Sequence, residues 1–98
     1  MIHLIATLRI KEGALPAVLE AARPCIEATR REEGCLHYDL HQSLTEPEKL
    51  VFVEKWENRK ALADHFREPH LIAFRKAAEP QFTSREIVTI EGGDVEVM

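Results

Sequence analysis

Over residues 2–10 (IHLIATLRI) apolar and polar positions alternate. Ile2, Leu4, Ala6, Leu8 and Ile10 fall on one side, and His3, Ile5, Thr7 and Arg9 on the other. Period two with β-branched residues predicts a strand, and the mixed second side predicts partial cover there as well. Lys11, Glu12 and Gly13 make a turn. From 14 to 33 the period becomes helical, with Leu15, Val18, Leu19, Ala22, Ile26 and Thr29 on one stripe and charges opposite. Pro16 suits the first turn, where a missing N–H costs nothing. Pro24 predicts a bend near Ala21, and Gly34 the left-handed residue that closes the helix. Alternation returns over 35–44, with Leu36, Tyr38 and Leu40 against His37, Asp39 and His41. After a polar turn (Thr45, Glu46, Pro47, Glu48) it resumes over 49–57, which predicts a hairpin. Leu50, Phe52, Glu54 and Trp56 share one side of this last segment; Val51, Val53 and Lys55 share the other. A strand this apolar on both sides predicts a central position, covered on both faces.

Asn58 is a good N-cap for a helix over 59–67 with Leu62, His65 and Phe66 on one face. Pro69 breaks it. A further helix over 70–78 turns Leu71, Phe74 and Ala77 or Ala78 inward and stops at Pro80. Residues 84–91 form the last strand, Gly92 and Gly93 a turn, and 94–98 a short tail. The order β-α-β-β-α-β is the split βαβ, ferredoxin-like α+β plan: a four-stranded antiparallel sheet with helices on one face. We expect one domain over residues 1–98. The other sheet face would carry Ile5, Val51 and Val53, an apolar surface that two copies packed face to face would hide. A homodimer is therefore expected.

Composition narrows the function classes. Apolar content of 45% and charged content of 31% are those of a soluble globular domain rather than a disordered one. The net charge of −4 comes without a basic cluster, so neither nucleic acid nor an anionic membrane surface is an expected partner. The apolar runs fall far short of the ~20 residues a membrane span needs. The first residues lack the basic lead of a secretory signal. Cys25 and Cys35 are the only thiols; with no CxxC and no activating partner they read as structural, in a reduced, cytoplasmic setting.

The candidate chemistry gathers in residues 50–70. Glu54 sits among Leu50, Phe52 and Trp56; desolvation there would raise its pKa and suit it to acid–base work. The plainer alternative is a carboxylate that pairs with a basic group such as Lys60 or Arg75, or that reaches the pocket mouth. His65, one turn from Leu62, faces the same space, either as a packed core histidine or as a proton handler. His70 reads as a helix-cap residue or as part of the site. Tyr38, Phe52, Trp56, Phe66 and Phe74 are core aromatics that can also line a flat apolar slot. His37 and His41, four residues apart on a strand, lie ~13 Å apart and cannot share an ion. His65 and His70 straddle a proline break, and no HExxH or Cys/His cluster exists, so no metal site is expected. The nucleotide, dinucleotide and serine-hydrolase signatures are absent.

With these positions placed, the chain resembles the antibiotic biosynthesis monooxygenase superfamily, in its small quinol-monooxygenase-like branch. The resemblance rests on Glu33-Gly34-Cys35 with Tyr38, then Phe52-x-Glu54-x-Trp56-Glu57, then Ala61-Leu62-x-x-His65-x-x-x-Pro69-His70. It covers nearly the whole chain, and the double-His motif is its most specific part. The resemblance implies a dimeric α+β barrel with a pocket between helices and sheet in each protomer. It also implies oxidation of a phenolic or quinol-type substrate by O₂ without metal, flavin or haem. Glu54 and His65 would then be the catalytic proton handlers. Trp56, Phe52, Tyr38, His70, Phe66 and Phe74 would form the substrate pocket.

Two departures limit what the resemblance carries. Polyketide-tailoring members have an Asn four residues before the Trp, where this chain has Phe52. The haem-degrading branch has a Trp at the position of His65, an axial His near Arg75 and an Asn near Ala6, and none of these matches. A related branch with the same double-His pattern resembles an isomerase of a phosphorylated autoinducer. The alternatives to a monooxygenase are therefore a small hydroxy-ketone isomerase, or a non-catalytic dimeric ligand-binding or stress-response module.

Overall fold

A computed structural model of the chain describes residues 1–93 and 95–98. Among the described residues the elements run β1 (Ile2–Ile10), α1 (Leu15–Thr29), β2 (Cys35–Gln42), β3 (Lys49–Trp56), α2 (Arg59–His65), α3 (Pro69–Ala78) and β4 (Phe82–Glu91), with a 3₁₀ turn at Glu79–Gln81 before β4. The strands pair antiparallel in the order β2-β3-β1-β4. This is the expected ferredoxin-like α+β arrangement, with β1 and β3 in the centre.

Strand parity decides what is inside. Ile2, Leu4, Ala6, Leu8 and Ile10 of β1 are all buried, and so are Leu50, Phe52, Glu54 and Trp56 of β3. The helices cover this face. α1 buries Val18, Ala22, Cys25 and Thr29, and α3, packed beside α1, buries Leu71, Phe74 and Ala78. Withdrawing each larger apolar side chain from water stabilises the fold by roughly 1.5–3 kcal/mol.

Several boundaries differ from the pattern. α1 runs through Pro24 but ends at Thr29, because Arg31 N–H bonds the Ala28 carbonyl and Glu32 N–H the Thr29 carbonyl, turning the chain early. Gly34 is therefore not the helix-closing residue. It enters β2 with φ +84°, and a Cβ there would lie 2.5 Å from that of Ala61. In β2 the register shifts between Cys35 and His37, so Leu36 is the extra residue of a bulge. It is 52% exposed and does not join Tyr38 in the core. α2 ends at His65, two residues early. α3 begins at Pro69 itself, where proline fits the first turn. β4 begins two residues early, at Phe82. Of the predicted tail, residue 94 lies outside the described residues, and 95–98 are exposed and irregular.

The opposite sheet face is apolar in its middle row. Val53, Ile5 and Val88 lie side by side on β3, β1 and β4, with Ile90 beside His3 in the next row. Val53 is 37% exposed, and Ile5, Val88 and Ile90 are exposed as well. β3 is thus central, but within one chain only its helix side is covered.

Candidate functional site

Between the helices and the sheet lies a cavity that opens at the β4 edge. Leu4, Ala6 and Leu8 of β1 and Phe52 of β3 form its floor. Tyr38, Glu54 and His65 stand at its inner end; Phe66, Phe74, Arg75, Phe82, Arg85 and Ile87 surround the rest. Its volume is about 50 Å³, whereas a cavity that takes up benzene measures ~150 Å³. An aromatic ring enters only if the side chains around the opening swing aside.

Glu54 is 5% exposed. It pairs with neither Lys60, which bridges to Asp64 at 2.9 Å, nor Arg75, whose guanidinium lies 5.5 Å over the Phe66 ring. Its partner is Trp56, whose indole Nε1–H donates to Glu54 Oε1 at 3.0 Å. Burial raises the Glu54 carboxyl to about 7 and the negative charge of Glu32 adds to the rise, against the lowering effects of the indole N–H and, more weakly, of the Arg75 charge. Trp56 does not line the cavity as the aromatic pattern implied. It is wholly buried behind it, its ring 4.6 Å from that of His65.

His65 is 1% exposed on its side chain and belongs to the cavity wall. Its ring is held by Trp56, by Tyr38 edge-on at 5.5 Å and by Phe66 at 5.8 Å. Burial lowers its pKa, so the neutral imidazole is favoured, and Glu32 opposes that shift. Burial also raises the Tyr38 hydroxyl far above its usual range, which keeps it a neutral phenol.

Glu32 is the residue the sequence reading did not single out. It lies in the turn after α1, and its Oε2 sits 2.8 Å from His65 Nδ1 and 2.7 Å from His70 Nε2. No local pattern joins residues 32, 65 and 70; only packing of the α1–β2 turn against the break between α2 and α3 does. His70 thus stands behind Glu32 rather than in the cavity wall.

These three side chains are a donor set that can hold a divalent ion, with ligand atoms all within 4.8 Å of one another. The expectation of no metal here rests on the lack of a ligand cluster in the sequence, and the fold brings Glu32 to the two histidines. The spacing is that of hydrogen bonds, however. One oxygen meets both nitrogens below 3 Å, while ligands ~2.0–2.2 Å from a tetrahedral zinc stand roughly 3.3 Å apart.

The sequence profile of the "Antibiotic biosynthesis monooxygenase" family matches residues 1–77. The chain belongs to this family. A Synechocystis relative, the uncharacterized protein sll1783, is 31% identical over 67 residues, 68% of this chain and 46% of its own length. The chain thus spans less than half of that relative. Rv0793 of Mycobacterium tuberculosis, which carries a provisional monooxygenase name, is 38% identical over 78 residues, 80% of this chain and 73% of that protein. The solved structure of Rv0793 superposes with a TM-score of 0.89, covering 98% of both chains at 27% identity. YgiN of Escherichia coli, named a probable quinol monooxygenase, is 27% identical over 104 residues, 95% of this chain and 99% of that protein. Within the family fold, the cavity, with Tyr38, Glu54 and His65 at its inner end, occupies the space between helices and sheet.

Proposed function

We propose that this family member is a cofactor-independent monooxygenase acting on a small phenol or quinol. The observation that carries the reading is that Glu54 and His65, both buried, both titratable and both against Trp56, face one apolar cavity. His65 takes the hydroxyl proton of the substrate, and the resulting electron-rich anion reduces O₂ in a space that excludes water. Glu54, with a pKa of about 7, returns a proton to the oxygen that leaves as water. For a hydroquinone, one oxygen atom enters the ring and the product is a hydroxyquinone. The name of YgiN supports quinols as the first class to try. We further propose one domain over the whole chain, and a homodimer through the face bearing Ile5, Val53, Val88 and Ile90, because that row is too apolar to be left in water.

The test is O₂ uptake by chelator-treated protein with a panel of hydroquinones. Uptake that depends on the protein and falls at least a hundredfold in His65→Ala is expected. Uptake no faster than in protein-free buffer refutes the assignment for those substrates. Val53→Lys should turn the dimer into a monomer in sedimentation velocity.

A further inference from the structure

We propose that Glu32 is the positioning residue that makes His65 a base, and that His70 is the clamp that holds Glu32. The inference rests on the reading of His65 as the proton acceptor. An ionised carboxylate accepts hydrogen bonds and cannot donate them. With Glu32 Oε2 at 2.8 Å from His65 Nδ1 and 2.7 Å from His70 Nε2, both nitrogens carry the hydrogen. His65 is thereby fixed as the Nδ1–H tautomer, and its lone pair lies on Nε2, the ring nitrogen that Glu32 leaves free. The ring cannot turn away, because Trp56, Tyr38 and Phe66 pack around it.

The Glu32 side chain is only 10% exposed, so its charge needs both donors. His70 supplies the second, and its other nitrogen lies 3.9 Å from Glu68 Oε2 on the more exposed side. In the proton-transfer step the substrate O–H bond breaks and an N–H bond forms at His65 Nε2. The electron pair stays on the substrate oxygen, and the imidazolium charge faces the Glu32 carboxylate. The arrangement matches the general pattern in which a carboxylate orients a catalytic histidine. The titratable and charged groups around His65 are Glu32 from the turn after α1, Tyr38 from β2, Glu54 from β3, and His70 and Arg75 from α3.

Glu32→Gln is the decisive variant. It keeps the shape and removes the charge. The expected result is a kcat lowered on the order of 10²–10⁴-fold, the range seen when such an orienting charge or base is lost, with KM within about threefold of wild type. Because Glu32 raises the pKa of His65, the acid limb of kcat/KM should also move to lower pH, which a merely structural loss would not do. His70→Ala should give a smaller kcat loss, and His70→Gln, which restores an N–H donor, should recover part of it. A substrate-free readout separates this inference from the proposed reaction. Imidazole ¹⁵N NMR of the wild-type protein should show His65 as the Nδ1–H tautomer near neutral pH, and Glu32→Gln should lose that preference. No turnover with any substrate, but a fixed tautomer, sinks the reaction and leaves Glu32 as the residue that sets His65. Turnover in wild type with Glu32→Gln unimpaired, an Nε2–H tautomer in wild type, or tight Zn²⁺ binding through these three side chains overturns the inference. If Glu32→Gln does not fold, the wild-type tautomer alone decides.

Discussion

Glu54→Gln tests the desolvation of the site without any substrate. In the folded chain the carboxyl is raised from its ordinary 4.5 to about 7; in the unfolded chain it returns to 4.5. Between those values the folded state holds a proton that the unfolded state releases, so this group lowers stability as pH rises from about 4.5 to 7, and the loss is complete above 7. A shift of 4.5 to about 7, at about 1.4 kcal/mol per unit, amounts to roughly 3–4 kcal/mol. The amide that replaces the carboxyl has no charge to desolvate, and its oxygen can still accept from Trp56 Nε1. The variant should therefore equal wild type near pH 4 and exceed it by ~3 kcal/mol near pH 9. Urea unfolding at a series of pH values measures this directly. Protein concentration is held fixed, because association would add its own stabilisation. A gain of equal size at pH 4 and pH 9, or none at pH 9, would refute the assignment of a buried carboxylate whose desolvation outweighs its hydrogen bond to Trp56. The same residue would then be a poor candidate for acid–base work.

Three further outcomes follow from the geometry. Gly34→Ala should destabilise by ~2–4 kcal/mol, from its positive φ together with the overlap on Ala61. Gly13→Ala, with similar φ and nothing within 4 Å, should cost only ~1 kcal/mol, and equal losses in urea unfolding would refute the packing argument. Trp56→Phe removes the N–H that lowers the Glu54 pKa, so a ¹³C titration of the Glu54 carboxyl should move to higher pH, and a midpoint unchanged or lower would count against that bond. Cys35, raised from 9.0 to about 11 by burial, should react with a disulfide reagent at pH 8 about 10-fold more slowly than an unperturbed thiol, the loss of thiolate being partly offset by its higher nucleophilicity, and buried Cys25 more slowly still; a fast thiol titration would contradict both.

Most of the fold is legible in the sequence because parity and period are local. The strict alternation of β1 and β3 places Glu54 with Trp56, and the helical spacing of Leu62 and His65 turns His65 toward them. The departures have physical causes of longer range. Parity puts Leu36 in the core only if period two is carried through a bulge, which pairing with Trp56 and Lys55 alone defines. The aromatic pattern puts Trp56 in the cavity wall, yet its indole N–H finds the nearest buried carboxylate and the ring lies behind the site. Glu32 carries no local signal at all: its neighbours read as helix, and the helix ends early. Arg85 and Ile87 of β4 reach the cavity because β4 pairs next to β1, a fact of strand order rather than of β4's own pattern.

The position of Trp56 also makes the molecule its own sensor. It is the chain's single tryptophan, sealed from water, with an imidazole against one side of its ring and a titrating carboxyl on its N–H. An imidazolium quenches indole emission far more than a neutral imidazole does. The intrinsic fluorescence of the unlabelled protein therefore reads the charge state of its own inner site. A fluorescence pH titration, or a stopped-flow trace during substrate addition, would record proton movement there with no reporter added.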